Sequence, residues 1–274
     1  MILFVIFIGC VVGSFLNVLI YRLPRVQSLI PRSACIHCKK IISFYNNIPI
    51  ISFLLQHGRT RCCYKIIPLR YLLVELLTPV FFILSYIGST TWIDLCFEII
   101  FLTSLVLIFF IDLEHKLILH LITWPTAVMG IIYSTVYTHT FLFALAGLAI
   151  GWMLIWGTNF LYKLFRKVDG MGIGDAFALA CIGAWFGPIK VIIIFFLASI
   201  LGTLFILLYD PKMIRKNIHL PFGCFLSSAA ILLFYDQQNA NIISSIFLSF
   251  ISHPAHFHYQ MILLLLTFFP KPDE

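Results

Sequence analysis

Apolar stretches of helix length follow one another along almost the whole chain, at about 2–20, 72–88, 93–111, 117–137, 141–161, 174–188, 190–209 and 220–236. Roughly 20 apolar residues in a helix cross the hydrocarbon core of a bilayer, and somewhat shorter spans are tolerated. In lipid the backbone must satisfy its own polar groups, which leaves only helices or closed barrels. Barrel strands alternate apolar and polar residues, and these runs do not. The chain is 61% hydrophobic and 11% charged, whereas a soluble domain carries about 25% charged residues. The expected fold class is all-α, a polytopic membrane helix bundle of about eight spans.

Breaks between the runs fall at Gly88-Ser89-Thr90, Thr138-His139-Thr140, Gly187-Pro188 and Asp210-Pro211-Lys212. Met1–Ile20 lacks a basic leading region and reads as a retained first span, not a cleaved signal. Residues 241–269 hold two shorter apolar runs around His253-Pro254-Ala255-His256-Phe257-His258. They fit one broken span, two short ones or interfacial helices. The resulting division is a first span 1–20, a cysteine-bearing subdomain 21–71, a membrane core 72–236 and a hydrophobic extension 237–274.

Charge orients the bundle. The net charge is +7, and nine of the 18 basic residues lie between Tyr21 and Tyr71, while residues 1–74 contain no acid at all. Lys and Arg collect in cytoplasmic loops, so 21–71 is expected inside, with contact to anionic lipid as a consequence. Strict alternation then puts 112–116, 162–173 and 210–219 inside as well. Those loops carry Lys116, then Lys163, Arg166 and Lys167, then Lys212, Arg215 and Lys216, while Lys190 alone lies at an outer boundary. No basic stretch interleaved with aromatics suggests nucleic acid as a partner.

Asp112 and Asp175 consequently fall at the same membrane face, each at the edge of an apolar run. Ionisable residues there are costly and are functional candidates by default. A lone acid at such an edge is more simply a cap or a solvated group, but a pair on one face suggests acid–base chemistry on water. Asp112 is expected to end a helix and Asp175 to begin one, so opposite helix dipole ends would favour charge on Asp175. Glu114 and Asp169 lie near enough to share this site, whereas Asp94, Glu98 and Asp236 fall at outer boundaries. A proton-coupled transporter using the two aspartates as a relay is the alternative, and a scaffold docking partners through 21–71 is a third.

Cys35-Ile36-His37-Cys38 and Cys62-Cys63 occupy the 21–71 loop. In a reducing compartment such a set suits a structural zinc site, with Cys35, Cys38, Cys62 and Cys63 as ligands. Adjacent thiols are an awkward pair, so His37 or His57 is an alternative ligand. A packed subdomain with free thiols is the other reading. Cys10, Cys96, Cys181 and Cys224 lie in apolar runs and read as buried hydrophobes.

Seven blocks in order resemble the type IV prepilin peptidases, GxGD-type aspartyl membrane proteases. They are Gly13–Pro24, Asn46–Ser52, Arg70–Thr78, Asp112-Leu113-Glu114, Gly172-Ile173-Gly174-Asp175, Gly183–Gly187 and Leu220-Pro221-Phe222-Gly223. The resemblance implies a bacterial inner-membrane enzyme whose catalytic Asp112 and Asp175 face the cytoplasm. It would remove the short basic leader of prepilins and pseudopilins after Gly. It would also N-methylate the new end with S-adenosylmethionine, for which no glycine-rich nucleotide loop is visible. Two departures stand out. Aligned on Arg70-Tyr71, a second Cys-x-x-Cys would fall at Thr60 and Cys63, leaving Cys62 as stand-in. After Asp112 the family's Leu-Pro-Asp-like stretch is Ile118-Leu119-His120 here.

Overall fold

The computed structural model describes residues 1–137, 140–167, 170–209 and 220–239, and every regular element among them is helical. The helices are α1 (Ile2–Arg22), α2 (Ile51–Leu55), α3 (Leu69–Gly88), α4 (Trp92–His115), α5 (His120–Tyr137), α6 (Phe141–Arg166), α7 (Ile173–Tyr209) and α8 (Phe222–Asn239). Five of them, α1, α3, α4, α6 and α7, are long and apolar enough to cross a membrane. The runs at 117–137 and 220–236 form α5 and α8, of 18 residues each, packed among the longer helices. The chain is thus a polytopic helical membrane protein. The 241–269 segment, the 210–219 loop and Asp169 lie outside the described residues.

The 37 residues of α7 absorb two expected spans. Gly187, with φ 77 and ψ −178, breaks the helix there. Only glycine adopts that backbone readily, and Pro188 next to it lacks an amide hydrogen for the ladder. At the N-terminus of α4, Thr91 and Asp94 cap each other: the Asp94 amide donates to Thr91 Oγ1 at 3.2 Å, and the Thr91 amide to Asp94 Oδ2 at 3.1 Å. At the other end α4 continues past Asp112 to His115, so Asp112 lies one turn inside the helix and does not end it. The extra turn is polar yet held, because Glu114 pairs with Arg70 and His115 lies 3.4 Å from Arg25. It closes where Lys116, at φ 52, returns its amide to the Asp112 carbonyl at 2.8 Å.

Helices in lipid gain little from burying apolar surface, so association depends on close backbone approach and hydrogen bonds. Gly9 and Gly13 of α1 supply that approach to α3. A Cβ on Gly9 would lie 2.6 Å from Pro79 Cα, and one on Gly13 3.1 Å from Glu75 Cα. Gly147 on α6 and Gly183 on α7 meet backbone to backbone in the same way. Phe101 and Leu105 of α4, Leu179, Ile182 and Ile194 of α7, and Leu226 of α8 form one buried cluster.

The ends expected on one face do gather at one end of the bundle. Asn17 on α1 donates to the Tyr71 carbonyl on α3 at 3.0 Å, Arg70 reaches Glu114 on α4, and the α8 amide of Cys224 reaches Asp112. Between α1 and α3, the Arg22 guanidinium ties down the loop after it by donating to the carbonyls of Ser28, Leu29, Pro31 and Arg32.

Candidate active site

Asp112 is buried, 4% exposed, and its carboxylate points at the start of α8. The amide of Cys224 donates to Asp112 Oδ2 at 3.1 Å, and the Gly223 amide is a second donor. A helix N-terminus carries unsatisfied amides and a partial positive charge, so it suits an anion. The approach requires glycine: a Cβ at 223 would lie 2.9 Å from Asp112 Oδ2 and 3.0 Å from Ile118 Cδ1. Gly223→Ala is therefore expected to displace the carboxylate and slow turnover by about 10²-fold, the cost of a misplacement of about 1 Å. The helix content should be unchanged. Rates on one substrate beside circular dichroism check this.

Asp175 is half-buried in the first turn of α7 and accepts the Gly172 amide at 3.2 Å. The glycine-rich turn before it is pinned from α6, where Asn159 Oδ1 accepts the amides of Gly170 at 2.8 Å and Met171 at 3.2 Å. Each such bond is worth about 1 kcal/mol net. Asn159→Ala should loosen the turn and reduce turnover roughly tenfold, and Asn159→Asp, which keeps the acceptor oxygen, should restore most of it. A loss that Asp does not rescue would point to another role for Asn159.

The two acids share one site. Ile118 is wedged between their supports, 3.1 Å from a Cβ placed on Gly174 and 3.0 Å from one placed on Gly223. Helix direction does not distinguish the acids as the sequence suggests, because both carboxylates meet a helix N-terminus. Two carboxyl groups placed together can serve one water as base and acid. Of the neighbouring acids, Glu114 pairs with Arg70 through Oε2, and His115 Nε2 lies 3.8 Å from the same oxygen.

The four cysteines of the loop also come together. Their sulfurs all lie within 4.8 Å of one another, with Cys35 and Cys63 3.8 Å apart and Cys38 and Cys62 3.2 Å apart. Zinc–sulfur bonds of about 2.3 Å in a tetrahedron put sulfurs about 3.8 Å apart, so the set fits the metal. His37 and His57 are not part of the group. Two matching knuckles build it. In one the Cys35 and Lys39 amides bond to the carbonyls of Lys40 and Cys35, and in the other the Thr60 and Tyr64 amides bond to those of Lys65 and Thr60. Thr60 thus sits where Cys35 sits in the first knuckle, and Cys62 swings in to replace the missing thiol. Burial opposes ionisation of Cys35, but the amides of Cys38 and His37 and the neighbouring thiols outweigh it and lower its pKa to about 6. Cys62, sharing protons with Cys38 and Cys35, is pushed up to about 12.

Comparison with known proteins matches residues 7–88 to the bacterial peptidase A24 N-terminal domain and residues 99–207 to the type IV leader peptidase family. A prepilin leader peptidase/N-methyltransferase of Dichelobacter nodosus is 34% identical over 262 residues, covering 85% of this chain and 91% of that protein. The chain belongs to the type IV leader peptidase family. Proteins of the same name from Vibrio cholerae serotype O1 and Pseudomonas aeruginosa are 32% identical over 242 residues and 30% identical over 270 residues. They cover 83% and 85% of this chain, and 94% and 90% of their own lengths. No solved structure gives a significant match. The proton-relay alternative has no support among these relatives of the leader peptidase family.

Sequence reasoning assigned no role to Asn159, Ile118 or the α8 N-terminus. Asn159 carries no signal in the chain, since an Asn in an apolar helix is unremarkable until the turn it holds is seen. Leu220-Pro221-Phe222-Gly223 did stand out as a family block, and the space beside Asp112 explains its glycine.

Proposed function

We propose that this chain is a membrane aspartyl endopeptidase that removes the short basic leader of type IV prepilins and pseudopilins after Gly, then methylates the new N-terminal amine. The observation that carries this is the gathering of Asp112 and Asp175 around Ile118 by α4, α7 and α8 at one end of the bundle. One carboxylate takes a proton from water as its oxygen attacks the scissile carbonyl carbon. The other acid donates a proton to the carbonyl oxygen. Collapse of the tetrahedral diol breaks the C–N bond, the amine leaves with a proton, and both carboxyl groups return to their starting states. The fixed α8 amides hold Asp112 in place throughout. No covalent enzyme intermediate is needed.

The site faces the cytoplasm of a bacterial inner membrane in this reading, because the basic residues concentrate at that end. A single reporter cysteine replacing Val26, which is 94% exposed, should react with an impermeant reagent in inverted vesicles and not in intact cells. The reverse pattern would invert the topology. Cys35, Cys38, Cys62 and Cys63 would hold a structural zinc ion that orders the 21–71 loop. S-adenosylmethionine, when bound, supplies a methyl group to the amine. The basic loop would also contact anionic lipid. The direct test is incubation of purified protein with a prepilin in detergent, followed by mass spectrometry. The expected products are free leader and a mature pilin, heavier by one methyl group only when the donor is added. An intact prepilin would reject the peptidase.

A further inference from the structure

Three glycines bring bare backbone up to the two carboxylates and their supports. A Cβ on Gly223 would lie 2.9 Å from Asp112 Oδ2, and one on Gly172 would lie 3.4 Å from Asp175 Oδ2. Gly174 directly precedes Asp175, and a Cβ there would meet Ile118 Cβ at 3.1 Å. Ile118 is the side chain for which these glycines leave room, and its Cδ1 lies 3.0 Å from the Cβ position of Gly223. It therefore fills the gap between the entry to α7 and the start of α8.

The wall that Ile118 forms is stiff. It belongs to the short segment from Lys116 to Leu119 that joins α4 to α5, and this segment is tied at both ends. The Lys116 amide donates to the Asp112 carbonyl at 2.8 Å, while the Leu119 carbonyl accepts the Ile122 and Thr123 amides at 3.0 and 3.2 Å. A β-branched side chain has little freedom at χ1. Ile118 is half-buried and packs, with Met171 and Phe222, against the central buried cluster. A group pressing on it from the aspartates meets packed residues behind.

We propose that Ile118 is the residue that restricts the substrate to glycine before the scissile bond, an inference that rests on the peptidase half of the proposed function. A carbonyl attacked between Asp112 and Asp175 must come within hydrogen-bond reach of both carboxyl groups, about 2.6–3.2 Å. The residue that carries this carbonyl then has its Cα against Ile118, which lies between the turns that support those groups. Glycine backbone fits there, as the chain's own glycines do. A Cβ on the substrate residue competes with Ile118 for the same space, and a close-packed wall does not yield without strain. Ile118 takes part in no proton transfer and acts by volume alone.

The test uses the full-length protein in detergent with a pair of prepilins, one carrying Gly and one Ala before the scissile bond, and kcat/KM is measured for each. Wild type should prefer Gly by about 10–200-fold, the usual effect of one methyl group in a tight site. Ile118→Val removes Cδ1, the atom that faces Gly223, and Ile118→Ala removes all beyond Cβ. Both should lower the preference, the Ala variant to within about threefold, chiefly by faster cleavage of the Ala substrate. Leu119→Ala loosens the same segment, but Leu119 packs on the separate cluster of Leu16, Val74 and Ile108. Its preference should match wild type. A preference unchanged in both Ile118 variants, or lowered as much by Leu119→Ala, overturns the proposal, as does a wild type that cleaves both substrates alike. If Ile118→Ala cleaves neither substrate, the ratio in Ile118→Val decides. A wild type that cleaves neither rejects the peptidase reading itself, and this proposal with it.

Discussion

Asp112→Asn and Asp175→Asn are each expected to abolish leader cleavage, by about 10³-fold or more, while leaving the protein folded in the membrane. General acid–base catalysis contributes about 10²–10⁴-fold, and an amide can neither take a proton from water nor give one to a carbonyl. The fold should survive because Asn is the same shape as Asp and its Oδ1 still accepts the Cys224 amide at 112 or the Gly172 amide at 175. Cleavage by each variant, beside a check of membrane insertion and detergent-extracted monodispersity, is the measurement. Substantial processing by either variant excludes the pair. The two single losses should be similar in size, since both carboxyl groups act in the same step.

Cys35→Ser is expected to empty the sulfur cluster and loosen the subdomain without removing cleavage. Cys35 is 2% exposed and touches Cys63, so its loss leaves three thiols around a gap. Structural zinc contributes about 10–16 kcal/mol of binding free energy in zinc-finger peptides at neutral pH, far more than a loop with two isolated β-bridges can supply alone. Metal content should fall from about one zinc per chain to near none, and residues 21–71 should become sensitive to added protease. Cleavage should persist, because the aspartates are held by α4, α6, α7 and α8 and not by this loop. A wild-type protein that cleaves yet contains no metal would discard the zinc assignment. Loss of cleavage on zinc removal, with the fold intact, would mean that the metal joins the chemistry.

The helices were legible in the sequence because lipid demands long apolar runs. The irregular cysteine knuckle could be read too, since alignment on the family's Arg70-Tyr71 block puts Thr60 in a thiol's place, and the repeated hydrogen bonds put it there as well. Helix ends were less legible. The α4 run stops being apolar at Asp112, yet the helix gains another turn from Arg70 and Arg25, which arrive from elsewhere. The carboxylate environments were not legible at all. Asp112 is bonded to a residue 112 positions away, and an N-terminal amide has no side-chain signature to announce it.

The central claim is that one peptide bond meets both aspartates. Single-turnover leader release, with enzyme in excess over one prepilin, tests it across wild type, Asp112→Asn, Asp175→Asn and the double variant in the same detergent preparation. Groups that act as a unit lose their contribution together, so the double variant should be no slower than either single one. Losses that multiply, or a single variant keeping more than about a tenth of the wild-type rate, would contradict the shared site.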